Sequence, residues 1–232
     1  MKWFWYILAV IVLVFALGLF FQVNSIDTEG NTRYGTEEII AASELELGGS
    51  LFVFDKADAE ARILESFPYV DEVDIKPKLP DKLLISITES VPLAKIELND
   101  GTFILLDRSG KVLDIGDTTV EGVEIRGVYV TDCSPGEVYP TDSDSEAEAL
   151  DYALEVLDEI RLAELTDGVT YIQVSVLNPI FDYAGKYKVE VGKRESTSDK
   201  IATLKRTLPQ LENGYYATID LSVLREAHYI PN

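Results

Sequence analysis

Few side chains in this sequence could do chemistry, and their spacing narrows what chemistry that would be. The 232 residues include one His, one Cys and 41 acidic side chains. His228 stands alone, which excludes the two-His zinc helix and leaves little room for a His-based triad, so it reads as a surface or partner-facing ring. Cys133 can form neither an internal disulfide nor a Cys-rich zinc site, and it reads as incidental rather than nucleophilic. The pairs Asp71/Asp74 and Asp142/Asp144 have the type for acid–base work or Ca²⁺ binding. With 41 carboxylates such pairs arise by chance, and Asp142-Ser143-Asp144-Ser145-Glu146 lacks the Gly and closing Glu of a Ca²⁺ loop. There is no Gly-rich phosphate loop, no G-x-S-x-G and no H-E-x-x-H. The residues point to a protein without catalytic site, metal or cofactor. A net charge of −21 disfavours nucleic acid, whose phosphates require clustered Lys and Arg.

Two features have the character of binding sites. Asp142–Asp167 carries ten acids and only Arg161, whereas Lys186–Arg206 carries seven bases against Glu190, Glu195 and Asp199. One reading is a pair of solvated faces that neutralise each other; the other is that Lys200, Lys205 and Arg206 meet an acidic partner or an anionic cell-wall polymer. The second feature is the C-terminal stretch Val223, Leu224, Arg225, Glu226, Ala227, His228, Tyr229, Ile230. As a last strand it would present unpaired N–H and C=O groups able to recruit another chain; the alternative is an ordinary closing strand or a frayed tail.

Elements that position these residues follow from periodicity. Val23–Glu29 reads as a strand; Thr36 reads as the cap of a short helix with Glu37 and Glu38 in its first turn. Asp55 caps a second helix, with Ala57, Ala61, Leu64 and Phe67 on one face and Pro68 as its stop. Strands around Val73/Ile75 and Leu83/Ile85/Ile87 complete a β-α-α-β-β order. Beyond Pro92, Ala94–Leu98 and Thr102–Leu106 form a hairpin over Asn99-Asp100-Gly101, and Ser109-Gly110 turns into Lys111–Leu113. Asp114–Gly136 is loop-like around one short strand near Val123–Val130. Ser145–Leu165 reads as one helix whose capping box is Ser145-Glu146-Ala147-Glu148. Alternations at Ile172/Val174/Val176, Tyr187/Val189/Val191 and Ala217/Ile219/Leu221 predict three strands, with a helix over Ser198–Leu208 before the last.

The N-terminus is different in kind. Trp3–Phe21 is an uncharged, almost wholly apolar run, about 28 Å long as a helix and close to the thickness of a bilayer core. Aromatics mark both of its ends, only Lys2 precedes it, and Asp27 and Glu29 follow, so the body is expected outside the cytoplasm. The run is longer than the apolar part of a signal peptide, and Ala16-Leu17-Gly18 lies inside it, which favours a retained anchor over a cleaved leader.

Several blocks resemble a known family. Gly30-Asn31, Tyr34, Glu37-Glu38-Ile39, Gly48–Asp55, Phe67-Pro68-Tyr69-Val70 and Leu79-Pro80-Asp81-Lys82-Leu83 through Pro92-Leu93-Ala94 are similar to the POTRA domain of the bacterial cell-division proteins FtsQ and DivIB. Leu106-Asp107-Arg108-Ser109-Gly110-Lys111-Val112 and Ile219-Asp220-Leu221 resemble that family's second domain. Ser90 stands where the family usually carries a basic residue, and Met1-Lys2 is shorter than the family's usual cytoplasmic tail. The resemblance implies an α+β protein: a signal-anchor transmembrane helix at 1–22, a POTRA domain at 23–91, and a mixed α/β domain with a mainly antiparallel sheet at 92–232. It also implies a non-catalytic, single-pass membrane scaffold at the division septum. Its end at Val223–Ile230 would receive FtsB/DivIC-like and FtsL-like partners, and through them it would act on septal peptidoglycan synthesis. The rival expectations are a POTRA-bearing export component and an exported cell-wall enzyme.

Overall fold

A computed structural model describes residues 2–116, 122–128, 132–211, 216–223 and 226–231, with side chains throughout except at 2, 13–20 and 231. The chain divides into two compact units, Met1–Ser90 and Val91–Asn232.

The first unit begins with helix α1, Lys2–Phe20. Among the described residues no helix is long and apolar enough to cross a membrane. In α1 the described side chains run from Trp3 to Val12, about half the length a bilayer core demands. The expected order then follows: β1 (Ser25–Glu29), α2 (Thr36–Ser43), α3 (Lys56–Ser66), β2 (Val70–Lys78) and β3 (Lys82–Glu89). β3 lies centrally, parallel to β1 and antiparallel to β2. Ile39 of α2 and Ala59 and Ile63 of α3 are buried against Ile26, Val70, Ile75, Leu83, Ile85 and Ile87 of the strands. Gly30 closes β1 with φ +83°, and a Cβ there would sit 2.0 Å from the Ile87 carbonyl oxygen, so both backbone shape and space demand glycine.

The second unit holds a nine-stranded sheet. Its strands are β4 (Ala94–Glu97), β5 (Phe103–Leu106), β6 (Val112–Gly116), β7 (Val123–Arg126), β8 (Val169–Gln173), β9 (Ile180–Tyr183), β10 (Tyr187–Glu190), β11 (Ala217–Asp220) and β12 (His228–Pro231). The spatial order is β12-β11-β10-β9-β8-β7-β4-β5-β6. The pairs β10/β11, β7/β8 and β4/β7 are parallel and the other five antiparallel. Helices α4 (Asp144–Leu162) and α5 (Thr197–Thr207) touch each other and share one core with the sheet, built from residues such as Tyr152, Leu157, Ile172, Phe181, Ile201 and Ile219.

Local differences from the sequence reading have physical causes. Helix α2 is capped by Gly35 rather than Thr36: the Glu38 carboxylate accepts the Gly35 N–H at 2.9 Å, while the Thr36 hydroxyl lies 2.8 Å from that of Thr28. Helix α4 starts at Asp144, one residue before the expected Ser145, and its cap moves from Ser145 to Ser143 because Ser-x-x-Glu occurs twice, two residues apart. Ser143 accepts the Glu146 N–H at 3.2 Å and Glu146 accepts the Asp142 N–H at 2.9 Å. Asp55 caps α3 as expected, accepting from the Asp58 N–H at 3.1 Å. Strand β8 stops at Gln173, with Val174 N–H still donating to the Arg126 carbonyl of β7 at 3.0 Å and Val176 beyond the strand; β9 around buried Phe181 carries no alternation strong enough to announce it. The loop-like reading from Asp114 gives way to β6 as far as Gly116, and Val130 lies outside the described residues.

Candidate partner-binding edge

The two ends of the long sheet are unlike. At β6, the chain from Gly136 to Val138 closes the start of the strand: Val112 N–H donates to the Glu137 carbonyl at 2.7 Å, Gly136 N–H donates to the Val112 carbonyl at 2.8 Å, and Lys111 bridges Val138. Among the described residues no strand pairs with the outer flank of β12. The register sets Asp220 against His228, Ile219 against Tyr229, Thr218 against Ile230 and Ala217 against Pro231.

That register decides which backbone groups face out. Ala217 N–H donates to the Lys186 carbonyl and Leu221 N–H to that of Glu190, so odd-numbered residues of β11 bond to β10. Thr218 and Asp220 therefore bond toward β12, and their partners Ile230 and His228 bond back. Tyr229, between them, points its N–H and C=O away from the sheet. Pro231 has the same outward parity but no N–H to offer. The side chains around this edge include exposed apolar groups: Val223, Tyr229 and Ile230 are 45%, 41% and 51% accessible. An exposed strand edge with apolar neighbours is the geometry that accepts an added strand.

The other residues singled out in the sequence divide. Glu226 N–H donates to the Val223 carbonyl at 3.2 Å, and its carboxylate lies 3.3 Å from His228 Nε2. Ala227 is partly buried against the core. Leu224 and Arg225 lie outside the described residues.

The basic stretch is not one exposed patch. Arg194 bridges Asp151 at 2.6 Å and Glu155 at 2.7 Å on α4, which holds its guanidinium above the ordinary arginine range. Lys205 reaches Glu164 at 3.6 Å. Arg206 hydrogen-bonds within its own helix, to the Ala202 carbonyl and the Thr203 hydroxyl. Lys200 is only 3% accessible and donates to the Lys193 carbonyl at 2.6 Å. Much of the stretch is thus turned toward the acidic helix or inward.

The residues weighed for catalysis have ordinary surroundings. Hydrogen bonds from Lys56 and Lys76 lower the Asp74 pKa and keep that carboxylate ionised. Burial, with Glu137 and Asp132 nearby, pushes the Cys133 thiol up and away from the thiolate form. Among the described residues no three His, Cys, Asp or Glu side chains gather as a metal site.

The β2 edge of the first unit, which sequence reasoning did not address, is blocked where β12 is open. Glu60 on α3 accepts the outward Ile75 N–H at 2.9 Å. Two residues on, Pro77 shares that outward parity and has no N–H. The sequence signal was available in the Pro and in charged Asp71, Glu72, Asp74, Lys76 and Lys78 on one strand.

Comparison with known proteins agrees with this architecture. Residues 21–90 match the POTRA domain, FtsQ-type. The chain is 28% identical over 219 residues to a cell division protein FtsQ of Syntrophotalea carbinolica, covering 89% of this chain and 72% of that protein. It is 28% identical over 206 residues to a cell division protein DivIB of Clostridium botulinum, covering 84% and 77%. Against a cell division protein FtsQ of Corynebacterium glutamicum it is 26% identical over 211 residues, 86% of each chain. The POTRA match coincides with the β-α-α-β-β unit, and alignments covering 86% and 89% of the chain extend well into the second unit. The chain is similar over most of its length to cell-division proteins named FtsQ and DivIB, and its residues 21–90 match the FtsQ-type POTRA domain.

Proposed function

We propose that this protein is a non-catalytic, membrane-anchored scaffold of the division machinery. Residues 1–22 form its anchor in the cytoplasmic membrane, 23–91 its POTRA domain and 92–232 the domain that binds partners. The Trp3–Phe21 run supports the anchor, since it carries no charge over a length matched to a bilayer core. Lys2 on the cytoplasmic side gives the remainder an extracytoplasmic position. The relatives' names support work at the septum.

The observation that carries the recruiting role is the outward parity of Tyr229 on the flank of β12 that no described strand pairs. An FtsB- or DivIC-like chain, together with an FtsL-like chain, would add there as a strand, with backbone hydrogen bonds for affinity and pockets around Val223, Tyr229 and Ile230 for specificity. Tethering both partners to one membrane raises their effective concentration, and the assembled set would position and regulate septal peptidoglycan synthesis.

The test is binding of full-length protein in detergent micelles to a DivIC- or FtsB-like partner. Tyr229→Pro removes the outward N–H while leaving the β11-facing groups of His228 and Ile230 in place; Tyr229→Phe keeps the backbone donor. The expected result is at least tenfold weaker binding for Tyr229→Pro and near-native binding for Tyr229→Phe. Full-strength binding by folded Tyr229→Pro would place the partner elsewhere.

A further inference from the structure

A cavity of about 500 Å³ lies in the second unit, lined by Leu177, Asn178, Gly192, Lys193, Glu195, Ser196, Lys200 and Ser222. Its position follows from topology. β10 and β11 are parallel and α5 is the crossover between them, so the carboxyl ends of both strands and the start of α5 come together. Crevices at such strand ends are where open α/β sheets hold ligands. The loops are drawn tight: Gly192 has φ +76°, and a Cβ there would meet the Ser222 Cα at 2.8 Å. Ser196 adopts the left-handed region, φ 51°, and gives α5 no side-chain cap.

The residue without an explanation there is Lys200. It is 3% accessible, yet it lines the cavity. Its ammonium has three N–H groups and donates to the Lys193 carbonyl at 2.6 Å. Among the described residues no carboxylate forms a salt bridge with it; Glu195 and Asp220 act on it only at longer range. A buried cation without a contacting counter-charge is costly, and natural structures retain one where something compensates it.

We propose that this pocket binds the carboxylate of a small N-acylated amino acid through the Lys200 ammonium. The lining matches that class. Ser196, Ser222 and the Asn178 amide offer hydrogen bonds to a carboxylate and an adjacent amide, and Leu177, 67% accessible at the rim, suits a small apolar side chain. With Lys193, Lys200 and Glu195 on the lining, the pocket carries one net positive charge, which matches a monoanion better than a phosphate dianion. The assignment rests on Lys200 and not on partner recruitment, although Ser222 on the lining directly precedes Val223 of the β12 edge.

The test uses full-length protein in detergent micelles with lysine labelled at the ε-carbon, titrated at constant ionic strength with N-acetylalanine, N-acetylalaninamide or inorganic phosphate. N-acetylalanine is expected to shift the Lys200 signal saturably. Its amide should leave that signal unmoved, and phosphate should bind at least tenfold more weakly. Lys200→Met should abolish the response of the protein to N-acetylalanine. Because that substitution also removes the tie to the Lys193 carbonyl, Ser222→Phe serves as a second variant that fills the mouth and keeps Lys200; it should weaken binding at least tenfold. Equal or unsaturable shifts with all three probes, or native affinity in folded Ser222→Phe, would overturn the assignment.

Discussion

The carboxylate of Glu60 on α3 accepts the peptide N–H of Ile75 on β2 at 2.9 Å, so a helix side chain occupies the hydrogen-bonding position that a neighbouring strand would otherwise take. Glu60→Ala leaves that edge N–H to solvent. We expect a loss of about 1–2 kcal/mol of stability in the first unit, because the bond is to a charged acceptor in a partly buried place. Thermal unfolding measures the loss, and hydrogen exchange should show the Ile75 amide exchanging faster while that of Asp74, which faces β3, keeps its protection. Unchanged Ile75 exchange would mean that Glu60 does not protect this edge.

At the opposite extreme, the amide of Tyr229 should exchange rapidly in the free protein while those of His228 and Ile230 are protected by β11. Addition of partner should slow Tyr229 selectively. Equal protection of all three residues before binding would contradict the register.

Glu89 ends β3 and holds the turn after β1. Burial by itself would raise its pKa, but the Thr32 hydroxyl and the N–H groups of Arg33, at 2.8 Å, and Thr32, at 2.7 Å, hold it below the ordinary carboxylate value. A depressed folded-state pKa gives stability that is present above the unfolded value of about 4.3 and is lost as pH falls through the folded one. Glu89→Gln should therefore lower the stability of the first unit at pH 7 by about 1 kcal/mol, allowing for solvent screening, and flatten its acid limb. Urea unfolding at pH 7 and pH 3 checks the sign.

Burial pushes the Tyr152 phenol up to about 12, and its hydroxyl donates to the Gly192 carbonyl at 3.0 Å. The raised value means that its contribution is complete below pH 10 and is lost as pH rises toward about 12. Tyr152→Phe should cost about 1–2 kcal/mol at neutral pH and remove one late-titrating phenol from the ultraviolet titration.

Lys205 and Glu164 form an exposed pair 3.6 Å apart, with side chains 49% and 87% accessible. Lys205→Glu should change stability by less than about 0.5 kcal/mol. Arg194→Ala should cost more, because it strips two α4 carboxylates of their shared partner. Equal unfolding midpoints for the two variants would show that the α4 bridges contribute nothing.

The order β-α-α-β-β, the hairpin over Asn99-Asp100-Gly101 and the helix capped by Asp55 were legible because each is written locally, in an alternation, a turn sequence or a cap. Strand β9 was not, because four residues around Phe181 owe their strand to β8 and β10 on either side. The paired Ser-x-x-Glu motifs show the limit within one helix: both satisfy the rule, and the structure uses Ser143.

The candidate sites divide in the same way. Composition alone excluded most metal and His-based chemistry and marked the apolar run, since those conclusions depend on which side chains exist. The stretch ending in His228-Tyr229-Ile230 was visible as a terminal segment, but its outward residue depends on register against β11, a pairing partner rather than a local preference. Lys200 looked like one more cation in a basic run; the β10-α5-β11 crossover buries it at a pocket while Arg194 turns to α4. Sequence sets charge and periodicity, but tertiary structure decides which charges are solvated and which backbone groups are paired, because both depend on neighbours distant along the chain.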